Sequence, residues 1–206
     1  MNRNKLLNQI EKVEGRESKM YMLDGIPHIG VGHNIISRSL ADKTLEALGI
    51  EDESDLMTAE LNDAQIDYLL DRDLDIAIED ARDVISGDVF DRLDEERQEV
   101  LVDMSFNLGR PKFSKFSMMI LAVQEGDFDE AADQILDSKA ARDPLTKGGY
   151  EDLANRMRQG ATDNPKPYQV DSLLAGATIQ ELLTEIARRH GLQIQIKGDA
   201  SNANDV

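Results

Sequence analysis

Residues 4–14, NKLLNQIEKVE, place Leu6, Leu7, Ile10 and Val13 three and four positions apart, the spacing that gathers apolar side chains on one face of an α-helix. Asn4 is the expected N-cap and Gly15 the stop, so Glu14 ends the helix. The pattern then changes to short extended runs, 21–23 and 26–31, on either side of Asp24-Gly25. That dipeptide suits a two-residue hairpin turn, because both central positions take positive φ. Pro27 has no N–H for a ladder and predicts an edge strand or a bulge. A short helix is expected over 41–48. Asn62 followed three positions later by Gln65 has capping-box spacing, and Ile66, Leu69, Leu70, Leu74, Ile76 and Ala77 continue one long helix with acidic residues on its other face. Helical patterns return over 91–108, 113–124, 128–137 and 150–159, broken by Gly109-Arg110-Pro111, Gly126 and Gly148-Gly149. The order predicts a mainly helical α+β fold. A small α/β-hairpin lobe occupies about 1–60, a connecting helix about 62–85 and a helical lobe about 88–162. Over 163–206, TDNPKPYQ reads as a linker, TIQELLTEIARRHG as an amphipathic helix, LQIQI as a short strand and KGDASNANDV as a disordered end.

Composition narrows the function. With 206 residues and 40% hydrophobic content the chain can bury a full core, and its length favours one domain in two lobes over several. No run of about 18 apolar residues is present and the first residues lack a signal-peptide pattern, so synthesis in the cytoplasm without membrane insertion is expected. Absence of cysteine excludes disulfides and thiolate chemistry, and the scattered His28, His33 and His190 make no zinc set, so neither metal nor cofactor is expected. The formal charge of −18, from 41 acidic and 23 basic residues, argues against a nucleic-acid partner. From Asp163 onward there are only six acidic and four basic residues, so the charge belongs to the main domain.

The chemistry-bearing residues gather early in the chain. A carboxylate at a helix C-terminus meets the negative end of the macrodipole, which raises its proton affinity when water is excluded, and Glu14 is so placed. The hairpin that follows carries Asp24 and His28, an arrangement that would furnish a cleft.

At EG (14–15), Tyr21 and IGVGHN (29–34) the sequence resembles the lysozymes of tailed bacteriophages, those of the T-even type. The resemblance continues at LLDRDLDIAI (69–78), LVDMSFNLG (101–109), FSKFSMMILAVQEGDFDEAA (113–132) and GGYEDLANRMR (148–158), in the family's order and over about three quarters of the chain. It implies a lysozyme-like fold and cleavage of the glycosidic bond between N-acetylmuramic acid and N-acetylglucosamine, with Glu14 as general acid. It further implies a structural ion pair between His33 and Asp73, sugar contacts from Asn107 and Ser117 with Phe106 packed beneath, and an arginine orienting the acid, Arg156 or, next best, Arg158.

The hairpin departs from the family. The usual Asp two residues after the tyrosine is Leu23 here, and the usual Thr before Ile-Gly-x-Gly-His is His28, with one residue lost between them. Asp24 is left as the hairpin's carboxylate, a catalytic candidate that a good Asp-Gly turn would equally explain. His28 in the threonine's place can take a proton from water or attack the anomeric carbon; alternatively it only pairs with Tyr21 across the hairpin.

Three functions remain open: a muramidase acting in phage lysis or wall penetration, a lysozyme-like virion or wall-binding protein without catalysis, and a lytic transglycosylase forming 1,6-anhydro products. The partner in each is bacterial peptidoglycan. It is reached through a pore made by another protein or from a virion, to which the C-terminal extension would dock.

Overall fold

Helix α1 (Arg3–Glu14) is capped two residues earlier than expected. Asn2, not Asn4, accepts the Lys5 N–H through its side chain at 3.1 Å. The structure, a computed structural model, describes residues 1–36, 40–143 and 147–161. The expectations for 163–206 lie outside the described residues. Leu6 and Ile10 face the core, whereas Val13 is 78% exposed at the outer side of the last turn. At the C-terminus Gly15, at φ 79°, donates its N–H to the Glu11 carbonyl at 2.9 Å.

Strands β1 (Glu17–Leu23), β2 (Ile26–Gly30) and β3 (His33–Asn34) form an antiparallel sheet in that order. Asp24 and Gly25, at φ 51° and 77°, make the turn that joins the first two. Pro27 lies in the central strand, not an edge. Opposite Met22 it occupies a non-hydrogen-bonded pair, so its missing N–H points away from β1 toward the side where β3 pairs only His28 and Ile29. The ladder with β1 therefore loses nothing.

After α2 (Asp42–Leu48), the capping box Asn62–Gln65 is formed in both directions, at 2.8 and 3.1 Å, and opens α3 (Asp63–Ile85). At 23 residues α3 runs about 34 Å. Ile66, Leu69, Leu70, Leu74 and Ala77 are buried, but Ile76 is 38% exposed and reaches the cleft described below. The outward acidic row of α3 is occupied by arginines from elsewhere. Arg3 holds Asp71 and Asp75, each at 2.7 Å, and Arg16 bonds Asp67. Part of the chain's acidity thus serves to dock α1 and β1 on the connecting helix.

The helical lobe comprises α4 (Gly87–Phe90), α5 (Glu95–Leu108), α6 (Arg110–Phe113), α7 (Ser117–Glu125), α8 (Phe128–Leu136) and α9 (Lys147–Gln159). Gly109-Arg110-Pro111 is not a plain break. Proline sits in the first turn of α6, where no N–H is required. Gly148 and Gly149 likewise fall inside the first turn of α9. Helix α5 is buried almost all round, with Val100, Leu101, Val102, Met104 and Phe106 in the core, because α1, α3 and α9 pack against it from different sides. Among the described residues no helix is long and apolar enough to cross a membrane.

Candidate active site

A cleft of ≈ 720 Å³ lies between the hairpin, α3 and the C-terminal end of α5. Its hairpin side presents Leu23, Ile26 and His28, its floor Arg72, Ile76 and Asp80 of α3, and its far wall the stretch from Ser105 to Lys112. Glu14 enters from the end of α1.

Glu14 lies against backbone. A Cβ built on Gly32, at φ 71°, would stand 3.0 Å from Glu14 Oε2, so only glycine lets the carboxyl pack on the turn between β2 and β3. Tyr21 closes the same corner. Burial pushes its phenol up, the Gly32 backbone hydrogen-bonds it, and the Glu14 and Glu17 carboxylates stand near enough to raise it further.

His28 sits opposite Tyr21 in the β1–β2 register and stacks on it, with ring centroids 5.7 Å apart and planes at 29°. Its Nδ1 lies 3.0 Å from the Ile26 carbonyl, an oxygen that can only accept. Nδ1 therefore carries the proton, and in the neutral ring Nε2 holds the free lone pair. The stacking on Tyr21 and the cleft-facing position coexist. Asp24 goes elsewhere. As first residue of the turn it is exposed at the hairpin tip and is not among the residues lining the cleft, since the positive φ that makes the turn also carries the side chain past the wall.

Beneath the cleft, His33 Nδ1 and Asp73 Oδ2 are 2.7 Å apart and both side chains are 1% exposed. Arg72 Nη1 adds a bond to Asp73 Oδ1 at 2.8 Å. His33 Nε2 is buried with no hydrogen-bond partner among the described residues.

On the far wall Phe106 is buried and Asn107 is exposed, both lining the cleft. The Asn107 amide turns back one helical turn and donates to Asp103 Oδ1 at 2.7 Å. Asp103 does not line the cleft but stands behind Asn107, and sequence patterning did not single it out. Burial pushes its carboxyl up to about 6, with Glu14 and Asp152 as like charges adding to the rise and Arg156 and Asn107 opposing it. Tyr150, also pushed up by burial, feels the Asp103 charge. Glu99 and Asp103 stand one turn apart on α5, but the charges that meet them come from α1 and α9, so the local pattern does not mark them.

The expected arginines separate. Arg156 is 15% exposed and bonds Glu96, Glu99 at 3.4 Å and Asp152 at 3.7 Å, so it sits behind α5 with its charge reaching Asp103. Arg158 points to α8, bonded to Asp129 at 3.2 Å and Asp133 at 2.5 Å, and does not line the cleft. Two residues along a helix differ by about 200° in direction, so both cannot face one site. Ser117 begins α7 and lines a separate hollow of ≈ 280 Å³ with Lys115, Gln134 and Lys139. Among the described residues no group of three or more His, Asp or Glu side chains is placed to hold a metal ion.

The arrangement has a carboxyl packed on backbone and an imidazole on the hairpin side, both lining one open cleft, and such groups suit acid-assisted cleavage of an extended polymer. Comparison with known proteins bears on the same region. Over 195 residues the chain is 26% identical to the pre-baseplate central spike protein Gp5 of Enterobacteria phage T4, an alignment that takes in 89% of this chain and 32% of that protein. The chain therefore spans about a third of that relative's length. The phage lysozyme family profile matches residues 11–158, a stretch that includes Glu14, the hairpin, α3 and the whole far wall, and the chain belongs to the phage lysozyme family.

Proposed function

We propose that the chain is a muramidase that hydrolyses the β-1,4 bond between N-acetylmuramic acid and N-acetylglucosamine in bacterial peptidoglycan. The observation that supports this most is Glu14 packed on Gly32 and lining the same cleft as His28. In the step, the Glu14 proton passes to the glycosidic oxygen as its bond to the anomeric carbon breaks. Water enters on the opposite face, forms the new bond to that carbon and gives its proton to His28 Nε2. The anomeric centre inverts, and exchange with solvent returns both groups to their starting states. Asp24 takes no part, being exposed at the tip. Asn107 and Phe106 supply contacts to the glycan, and the His33–Asp73 pair holds the hairpin on α3. The spike protein relative favours a chain that reaches the wall as part of a virion.

Purified chain should release soluble muropeptides from peptidoglycan, and Glu14→Gln should stop release while melting at an unchanged temperature, because a carboxamide cannot donate the proton. A variant keeping more than about a tenth of the rate would refute the assignment, since a positioned acid contributes 10²-fold or more. A second reading, a wall-binding virion protein without catalysis, draws on the absence of any Asp or Glu among the described hairpin residues that line the cleft. Binding to sacculi without turnover would favour it.

A further inference from the structure

Tyr21 and His28 are partners across the β1–β2 ladder, and their rings stack with centroids 5.7 Å apart and planes at 29°. Both are half-buried, but of the two only His28 lines the cleft. Tyr21 lies outside it, so its ring acts on the chemistry only through its neighbour. Two further contacts fix the pair. His28 Nδ1 donates to the Ile26 carbonyl at 3.0 Å, which decides where the imidazole carries its proton but leaves both ring faces to other groups. The Gly32 backbone hydrogen-bonds the Tyr21 phenol, and Gly32 is the residue on which Glu14 packs. The stacked ring is thus tied to the turn against which the acid rests.

We infer that Tyr21 is a positioning residue for His28: its ring, outside the cleft, backs the imidazole that lines it, holds that imidazole in one orientation and offers a π-face to the positive charge gained when His28 takes the water's proton. This deepens the muramidase reading and rests on it. A cation within about 6 Å of an aromatic centroid is attracted to the ring face, and the observed 5.7 Å is inside that reach. The attraction arises only as the proton is transferred, so it lowers the barrier and leaves binding of the glycan unchanged. An imidazole already stacked on one face also has fewer orientations to give up before it reacts. Burial pushes the phenol up, so Tyr21 presents a neutral ring and not an anion.

The test compares Tyr21→Leu, which removes the aromatic face, with Tyr21→Phe, which keeps the face and removes the phenol oxygen. In the full chain, kcat and KM are read on soluble glycan oligomers, and the His28 ring protons by NMR. Tyr21→Leu should lower kcat on the order of five-fold with KM within about two-fold, whereas Tyr21→Phe should keep at least about half of kcat. The His28 ring protons, shielded by the stacked phenol, should move downfield in Tyr21→Leu and stay in place in Tyr21→Phe. The losses from Tyr21→Leu and His28→Ala should not add, the double variant being no slower than His28→Ala alone, because the ring acts through the imidazole. An unchanged kcat in Tyr21→Leu overturns the inference, as does a Tyr21→Phe variant as slow as Tyr21→Leu. Additive losses overturn it too, since they mark a structural role reaching the site by another route. The ring-proton shifts need no turnover: shifts that collapse in Tyr21→Leu and persist in Tyr21→Phe, in a chain that releases no muropeptides, uphold the positioning of His28 and overturn the muramidase reading instead.

Discussion

Replacing His33 by alanine tests what holds the hairpin lobe to the connecting helix. The imidazole is 1% exposed and its Nδ1 lies 2.7 Å from Asp73 Oδ2, itself 1% exposed. Removing one partner of a buried pair costs about 3–5 kcal/mol, chiefly because the other is left without compensation. Here Asp73 keeps the Arg72 bond at 2.8 Å, so the lower end applies, and loss of the ring's packing adds to it; about 3 kcal/mol is expected. For a unit of this size that corresponds to a fall in melting temperature of roughly 6–12 °C. Asp73→Ala should cost more, since it removes the Arg72 bond as well as the partner of the buried ring, and the double variant should cost less than the sum of the two. Differential scanning calorimetry of the four proteins checks this. At a temperature where all are folded, the turnover rate should change little. An unchanged melting temperature with lost activity would refute the reasoning, because the pair would then belong to the chemistry and not to the scaffold.

Gly32→Ala should lose about 1–2 kcal/mol from its φ of 71° and, because its Cβ would stand 3.0 Å from Glu14 Oε2, most of its lytic rate; a folded variant of full activity would show that Glu14 need not pack on the turn. His28→Ala should slow turnover at least ten-fold whereas Asp24→Asn, at the exposed tip, should stay within about two-fold, and the reverse ranking in the same assay would move the hairpin's function to Asp24. Asp103 sits near 6 in the folded chain against an ordinary value near 3.8, so between those pH values the unfolded chain releases a proton that the folded one keeps, and stability falls as pH rises through that window. Asp103→Asn should therefore be the more stable protein above pH 6, by up to about 3 kcal/mol, with the difference fading below pH 4 in urea melts; a difference independent of pH would contradict the placement.

The parts of this fold written in local chemistry were legible beforehand. Asn62 and Gln65 bond each other's backbone because the capping box acts within one turn, and Asp24-Gly25 turns the chain because both take positive φ. The helical pattern erred where burial depends on partners elsewhere. Ile76 matches the apolar spacing of α3 yet opens onto the cleft, and Val13 falls on the solvent side of the last turn of α1. His33 and Asp73 are 40 residues apart, with no local signature, and only the family resemblance joined them. Asp103 was invisible for a related reason. Its displacement arises first from burial, with the like charges of Glu14 and Asp152 adding to it from α1 and α9, and a lone Asp in LVDMSFNLG carries no trace of them. The two arginines of LANRMR could not be ranked by spacing. Their directions were set by the acidic residues that α5 and α8 offered, Glu96 and Glu99 to Arg156, Asp129 and Asp133 to Arg158.

The central claim is that Glu14 donates a proton while a water held on the His28 side attacks the anomeric carbon. Proton NMR of the reducing end first formed from a β-linked peptidoglycan oligomer reads that event directly. The account predicts an α-anomer that mutarotates afterwards, formed by the unaltered chain and not by Glu14→Gln. A β-anomer, a 1,6-anhydro end, or an α-anomer released equally fast by Glu14→Gln would contradict it.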